Sequence, residues 1–192
     1  MKTRRRSDTL ALTIYFIYVI HYPRHHADYG VKNLKLGGGV AATKINLFDF
    51  SGLKEFCGVR KEFYKDTQGA LLVYNVGKKS SLEALESWLD EAKRSGSPKA
   101  CKYLVLGNKI DVNKKREVTK AEGEAWAKKR NMPHFEVSAK SGKNVKEAFL
   151  HLFRLVLEGV GNSCGGKKRT KRVADAVEKK RGSRGKRRLG SS

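Results

Sequence analysis

Residues 101–111 carry the sequence CKYLVLGNKID, in which an apolar run is followed at once by Asn108, Lys109 and Asp111. A short, continuous apolar run is typical of a strand buried on both faces, as the strands of parallel sheets are. In sheets of that kind, ligands bind beyond the carboxyl ends of the strands. The stretch therefore predicts a central strand whose following loop is a candidate binding loop.

Four further segments have the composition of strands. Residues 69–76 form a second continuous apolar run, and residues 133–138 form a shorter one. Residues 29–36 and 44–50 are typical of a hairpin, because Gly37-Gly-Gly39 between them supplies a flexible turn. With the first strand, these segments predict a sheet.

Helical periodicity occupies the segments between the strands. It covers residues 55–65, 82–89, 119–129 and 145–157. Thr119 and Glu122 have the spacing of a capping box, and Ser80 or Ser81 is expected to cap the helix before it. Strands that alternate with helices of this length predict an α/β fold with a mostly parallel sheet flanked by helices.

The apolar run at residues 10–20 has two interpretations. It follows the basic residues Lys2 to Arg6, as in a secretory signal, but no small-x-small cleavage site comes after it. It is also shorter than the stretch of about 20 residues that a membrane-spanning helix needs. Its β-branched and aromatic residues favour a buried strand over a secretory signal.

The loops at two strand ends have the chemistry to recognise a purine. The Asp111 carboxylate can accept two hydrogen bonds from a donor pair such as the N1–H and N2–H₂ groups of guanine. The Lys109 stem can lie over the base, and Asn108 can tie adjoining loops together. After residues 133–138, backbone N–H groups of Ser138-Ala139-Lys140 can meet an oxygen of the same base. As simpler readings, Asp111 caps a turn and Ser138 caps a helix.

A third loop, Asp49-Phe-Ser-Gly52, follows the strand at residues 44–50. An aspartate there can hold Mg²⁺ through water, and Gly52 lets its N–H approach a phosphate closely. In chain order the three loops match the patterns DxxG, NKxD and SAK. This set, with each motif at a strand end, resembles that of the Ras superfamily of small GTPases.

Longer phrases resemble the Rab-like GTPases that carry a DnaJ domain in longer members. They lie at residues 59–69, 72–76 and 81–89. The resemblance covers residues 28–158 and implies a P-loop-NTPase-like fold, binding of GTP or GDP with Mg²⁺, and slow GTP hydrolysis. It also implies effector or regulatory proteins as partners and a switch in vesicle traffic or signalling. The His-Pro-Asp triplet of a J domain does not occur in the sequence.

The sequence departs from the family pattern in two places. The phosphate-binding pattern GxxxxGK[ST] does not occur, so we expect the first helix and the phosphate loop to be missing. Leu53 stands where the family has a water-orienting Gln, so no catalytic residue is assigned and GTP hydrolysis is left open. Binding is expected to be weak. Residues 12–20, within an atypical segment at 1–27, are expected to restore the family's central strand without the phosphate loop.

The formal net charge of +23 is unevenly spread, and the tail, residues 159–192, is its densest part. Residues 167–188 contain 12 Lys and Arg against Asp175 and Glu178. We expect this tail to be disordered, and either simply solvated or a nuclear address, a nucleic-acid contact or an attraction to anionic lipid. The sequence ends without prenylatable cysteines, which predicts no prenyl anchor.

The three cysteines, Cys57, Cys101 and Cys164, form no CxxC pair. This spacing argues against a disulfide framework or a zinc site and predicts an intracellular protein, in the cytoplasm or, through the tail, in the nucleus. Two alternatives to a nucleotide-binding GTPase remain. One is an interaction module that binds partners without nucleotide, and the other is an RNA- or membrane-associated protein that acts through its basic tail.

Overall fold

In the computed structural model, the described residues are 11–13, 28–34, 43–112 and 115–163. The strands are β1 (Ala11–Thr13), β2 (Asp28–Leu34), β3 (Thr43–Asp49), β4 (Gly69–Asn75), β5 (Lys102–Asn108) and β6 (His134–Glu136). The helices are α1 (Cys57–Tyr64), α2 (Lys79–Glu83), α3 (Leu85–Arg94), α4 (Lys120–Lys128) and α5 (Val145–Ser163). A turn of 3₁₀ helix, Lys54–Phe56, directly precedes α1.

The strands form two groups of three. In the first group β3 lies between β1, which pairs with it in parallel, and β2, which pairs with it antiparallel. In the second group β4, β5 and β6 pair in parallel in that order. The mostly parallel α/β arrangement that the sequence predicts is confirmed.

Several predicted features lie outside the described residues. They include residues 14–20 of the apolar run, the turn at Gly37-Gly-Gly39 and the tail from residue 164 onward. The described part of the apolar run, β1, is a strand on the side of β3 opposite to β2. That the whole run restores a central strand, and that the first helix and phosphate loop are missing, both stay predictions.

β4 and β5 are covered on both faces. On one face alternate residues pack with β3 and α5, and the buried cluster includes Ile45, Leu71, Val73, Leu104, Leu106, Leu152 and Val156. On the other face the intervening residues pack with α2, α3 and α4, in a cluster that includes Leu72, Leu82, Leu85, Leu89, Val105 and Ala127. This two-sided burial explains why both strands have continuous apolar runs instead of alternating ones.

One of the two predicted helix starts is confirmed and the other is wrong. Thr119 and Glu122 form both hydrogen bonds of the capping box at the start of α4. The Ser80 or Ser81 cap is not formed, because α2 already begins at Lys79. The buried Ser81 hydroxyl instead donates to the Lys78 carbonyl at 2.6 Å and accepts from the Asn75 N–H at 2.9 Å. It thereby satisfies the backbone at the end of β4.

α5 has 19 residues and runs past the predicted end of the last helix. Its Ala148, Leu152 and Val156 are buried on the stripe that faces the sheet. Among the described helices, none is both long and apolar enough to cross a membrane.

The close packing of α4 on the sheet gives a test of the fold. A Cβ at Gly123 would collide with the Tyr74 hydroxyl and lie 2.8 Å from His134 Nε2. Gly123→Ala is therefore expected to destabilise the protein by about 1–3 kcal/mol in urea unfolding. Gly58→Ala is the matched control, because a Cβ at this position in α1 meets nothing within 4 Å. It is expected to stabilise by about 0.5–1 kcal/mol, and equal shifts in the two variants would contradict this packing.

Candidate functional site

The loop after β5 turns sharply at Lys109. This residue has a φ of 69°, in the left-handed region that lysine rarely adopts. Its N–H donates to Asn108 Oδ1 at 2.7 Å, and its carbonyl accepts from the Val112 N–H at 3.0 Å. These bonds hold a conformation that costs energy, as is common at binding sites, and they leave Asp111 exposed.

Asn108 joins the ends of three neighbouring strands. Its side-chain oxygen also accepts from the N–H of Ala139, in the loop after β6, at 3.0 Å. Its carbonyl accepts from the N–H of Val76, directly after β4, at 3.0 Å. Asn108 is only 8% exposed, so water competes little for these bonds. The tie between loops that the sequence predicts is present.

Ser138 orients the carboxylate of Asp111. The Ser138 hydroxyl donates to Asp111 Oδ1 at 2.5 Å and accepts from the Ser141 N–H at 3.1 Å. The first of these bonds does most to hold the pKa of Asp111 below its ordinary value, and the charges of Lys140 and Lys109 act in the same direction. Asp111 is therefore a fixed, ionised acceptor at neutral pH.

The backbone donors of the loop after β6 are partly engaged within the protein. The N–H of Ser138 donates to the Lys143 carbonyl at 3.1 Å, and that of Ala139 donates to Asn108. Of the three residues expected to meet a base oxygen, the exposed Lys140 is therefore the candidate whose N–H serves without rearrangement.

Asp49 and Gly52 belong to the end of β3 and the loop that follows it. Gly52 is exposed beside Trp88, and an added Cβ would lie 3.5 Å from the Trp88 ring, an ordinary contact distance. The fold itself therefore does not require glycine at this position. A close approach of a ligand to the backbone is the remaining physical reason for one.

Arg60, in α1, holds the loop after β3 by hydrogen bonds to its backbone. Its guanidinium donates to the carbonyl of Ser51 at 2.6 Å and to that of Leu53 at 2.8 Å. It also forms two bonds, of 2.8 and 3.0 Å, with the Glu91 carboxylate in α3. Arg60 is 3% exposed. Burial alone raises the pKa of Glu91, but hydrogen bonds from Arg60 and Tyr64, with the Arg60 charge, lower it overall.

Sequence reasoning missed this buried pair. Arg60 and Glu91 are far apart in the chain, and each has the spacing of an ordinary surface residue on a short helix. The sequence offered only a weak signal for the pair, namely that both charged residues occur in short amphipathic helices, as many surface residues do. The structure thus joins the loops after β5 and β6 by direct hydrogen bonds. It holds the DxxG loop separately, through the ion pair of Arg60 with Glu91.

Oxygen donors suitable for a divalent cation lie at the end of β3. The half-buried Asp49 stands directly opposite Asp28 in the hairpin register, so the two carboxylates share one face. Hard oxygen donors are those that Mg²⁺ prefers, and the donor set fits the ion. No cluster of three or more His, Cys, Asp or Glu that could hold a metal occurs in the part of the chain described. Water or ligand oxygens would have to complete the coordination shell.

A family model described as the Ras family matches residues 13–158. This match starts at residue 13, whereas the resemblance inferred from the motifs starts at residue 28.

Curated relatives agree with this match. A chicken (Gallus gallus) protein named DnaJ homolog subfamily C member 27 is 38% identical over 169 residues, which cover 82% of this chain and 60% of the relative. The zebrafish (Danio rerio) protein of the same name is 40% identical over 151 residues, covering 77% of this chain and 54% of the relative. The human protein of that name is 38% identical, with 82% and 60% covered. The chain thus spans just over half the length of these relatives.

Removal of the Arg60 side chain tests the anchor of the DxxG loop. Arg60→Met removes the charged partner of Glu91 and a donor to two carbonyl oxygens, so a loss of about 3–5 kcal/mol in unfolding free energy is expected. The control is Lys65→Met, which removes an exposed pair with Glu62 at 3.6 Å and is expected to cost less than about 1 kcal/mol. Similar losses in urea unfolding of the two variants would contradict the assigned role of Arg60.

Proposed function

This chain belongs to the Ras family, and on that premise we propose that it is a Rab-like protein that binds guanine nucleotide mainly through the base. The observation that carries the proposal is the 2.5 Å hydrogen bond from the buried Ser138 to Asp111. It holds an ionised carboxylate in the loop that Asn108 joins to its neighbour.

The arrangement suits guanine for a chemical reason. One carboxylate offers two acceptor oxygens side by side, and guanine presents N1–H and N2–H₂ as two adjacent donors. Adenine presents no such pair on that edge. Because Asn108 and Ser138 hold the loops in place beforehand, little conformational entropy is lost when the base binds.

We expect the phosphate end of the site to contribute less to binding than the base end. Asp28 and Asp49 would hold Mg²⁺ through water, and Gly52 would approach a phosphate with its N–H. Bound Mg²⁺ would neutralise charge on the phosphate oxygens. The sequence, however, contains no GxxxxGK[ST] pattern. Losing several charge-assisted contacts at roughly 1.5–3 kcal/mol each lowers affinity by about four or more orders of magnitude.

Hydrolysis is expected to be impaired as well. Leu53 stands directly after Gly52, and its side chain can neither donate to nor accept from an attacking water. Its carbonyl is held by Arg60, so the backbone at this position is fixed by the protein. The proposed role is therefore a weakly binding intracellular switch protein of vesicle traffic or signalling, with little turnover of its own.

A nucleotide-free interaction module is the second candidate. β2 lies at the edge of its sheet, and its Tyr29 and Val31 are 52% and 45% exposed. The Tyr29 ring contacts Phe48, with 4.8 Å between ring centroids, and Phe48 in turn contacts Phe63. An exposed apolar edge of this kind is typical of protein–protein contacts.

Nucleotide titration separates the two candidates. The full chain with Mg²⁺ is titrated with mant-GDP, and binding in roughly the micromolar range, with no measurable GTP turnover, is expected for the first candidate. Nanomolar binding or ordinary family turnover would show that the phosphate contacts are intact. A folded chain that binds no nucleotide would exclude the first candidate and favour the interaction module over it.

Asp111→Asn tests how the base is recognised. An amide offers one donor and one acceptor, so it loses one bond to guanine and gains one to the C2 oxygen of xanthine. We expect at least about tenfold weaker binding of guanosine diphosphate and a shift of preference towards xanthosine diphosphate. The control is Asp90→Asn, the same change at an exposed position on α3. An unchanged guanine-to-xanthine ratio in Asp111→Asn would exclude Asp111 as the base acceptor.

A further inference from the structure

A groove lies between the β2–β3 hairpin and α5. It encloses a cavity of about 160 Å³, lined by residues that include Leu47, Phe48 and Phe149. Asp28 and Asp49 stand at one end of the lining. The groove is thus apolar along its walls and negative at one end.

Gly30 lines the groove on the hairpin side. Gly30 stands opposite Leu47 in the hairpin register, on the same face as the Asp28–Asp49 pair. Among the described residues, the nearest atom to a Cβ at Gly30 would be Leu47 Cβ at 3.9 Å, an ordinary contact distance. Leu47 and Phe149 pack against the buried core on their inner sides and remain only partly buried. Part of their apolar surface therefore faces the groove.

We propose that this groove is a docking site for the basic tail of the same chain, residues 167–181. Val173 and Val177 would lie against Leu47 and Phe149, and the basic residues beside them would face Asp28 and Asp49. The proposal does not depend on nucleotide binding, and a chain that bound no nucleotide could still hold its tail in this way.

The tail has a composition that matches the groove. Its sequence KKRTKRVADAVEKKR places Val173 and Val177, with Asp175 between them and Glu178 after them, between two basic clusters. Residues four apart lie on one side of a helical turn, so both valines can contact the same wall. The negative end of the groove then attracts one of the two basic clusters.

The tail can also reach the groove. From Phe149 to Ser163, α5 extends about 21 Å at 1.5 Å per residue. Gly165 and Gly166 follow after Cys164, and glycine permits backbone conformations that reverse the chain direction. The chain from Ser163 to Val173 can span up to about 33 Å, which exceeds the return distance along α5.

Docking would have a consequence for the end of β3. Basic side chains beside Asp49 would oppose a divalent cation at the same carboxylates. The tail would then act as an internal competitor of Mg²⁺, and its release would be favoured by anything that binds basic segments.

Carbodiimide cross-linking of the full chain tests the proposal. The reagent joins carboxylates to lysines in direct contact, and mass spectrometry locates the links. We expect links from Asp28 or Asp49 to tail lysines to exceed links from Asp90, on α3, by about tenfold. In an equal mixture of ¹⁴N- and ¹⁵N-labelled chains the links are expected within one isotope, since the contact is within one molecule.

Two serine variants of the full chain separate apolar docking from charge attraction. Val173→Ser with Val177→Ser is expected to reduce the links about tenfold, because two buried side chains lose their apolar contacts. Ala174→Ser with Ala176→Ser is the matched control and is expected to change them less than about twofold. The proposal is overturned if the two variants behave alike, if Asp90 links as strongly as Asp28 and Asp49, or if mixed-isotope links dominate and so identify a second copy as the occupant.

Discussion

Burial of β4 and β5 on both faces is the constraint on which the rest of the structure depends. Their alternate residues pack on α5 to one side and on α2, α3 and α4 to the other. Two strands so enclosed can shift register only by moving every core contact at once. The ends of β4 and β5 are therefore fixed relative to each other, as Asn75 opposite Asn108 shows.

The polar site is built on that rigid base by a small number of hydrogen bonds. Asn108 stands at the end of β5 and connects the segments after β4 and β6 through its carbonyl and its side chain. Ser138 then aims Asp111 from a buried position. Asn108 and Ser138 are themselves buried, so water competes little for their hydrogen bonds. A few such bonds are therefore enough to hold the three segments.

The same division decides what the sequence can predict. Strands β4 and β5 and the Thr119 capping box follow from patterns within a few residues, and the structure confirms them. The role of Ser81 depends on the backbone of Asn75 at the end of β4, a partner that local pattern does not specify. The pair of Arg60 with Glu91 depends on two helices meeting in space, so no periodicity within either helix predicts it.

The two ends of the candidate site are held by different means, and this bears on switching. A switch needs a segment with two states whose balance the ligand shifts by its differential affinity. In GTPases that segment is ordered largely by contacts to the nucleotide's last phosphate and its metal. Here the carbonyls of Ser51 and Leu53 are already bound by the buried Arg60, which is itself paired with Glu91. Because these contacts come from the protein, the loop keeps its shape without a ligand. A nucleotide that moved this loop would have to break a buried charged anchor, so a switch in this chain would have to act through another segment.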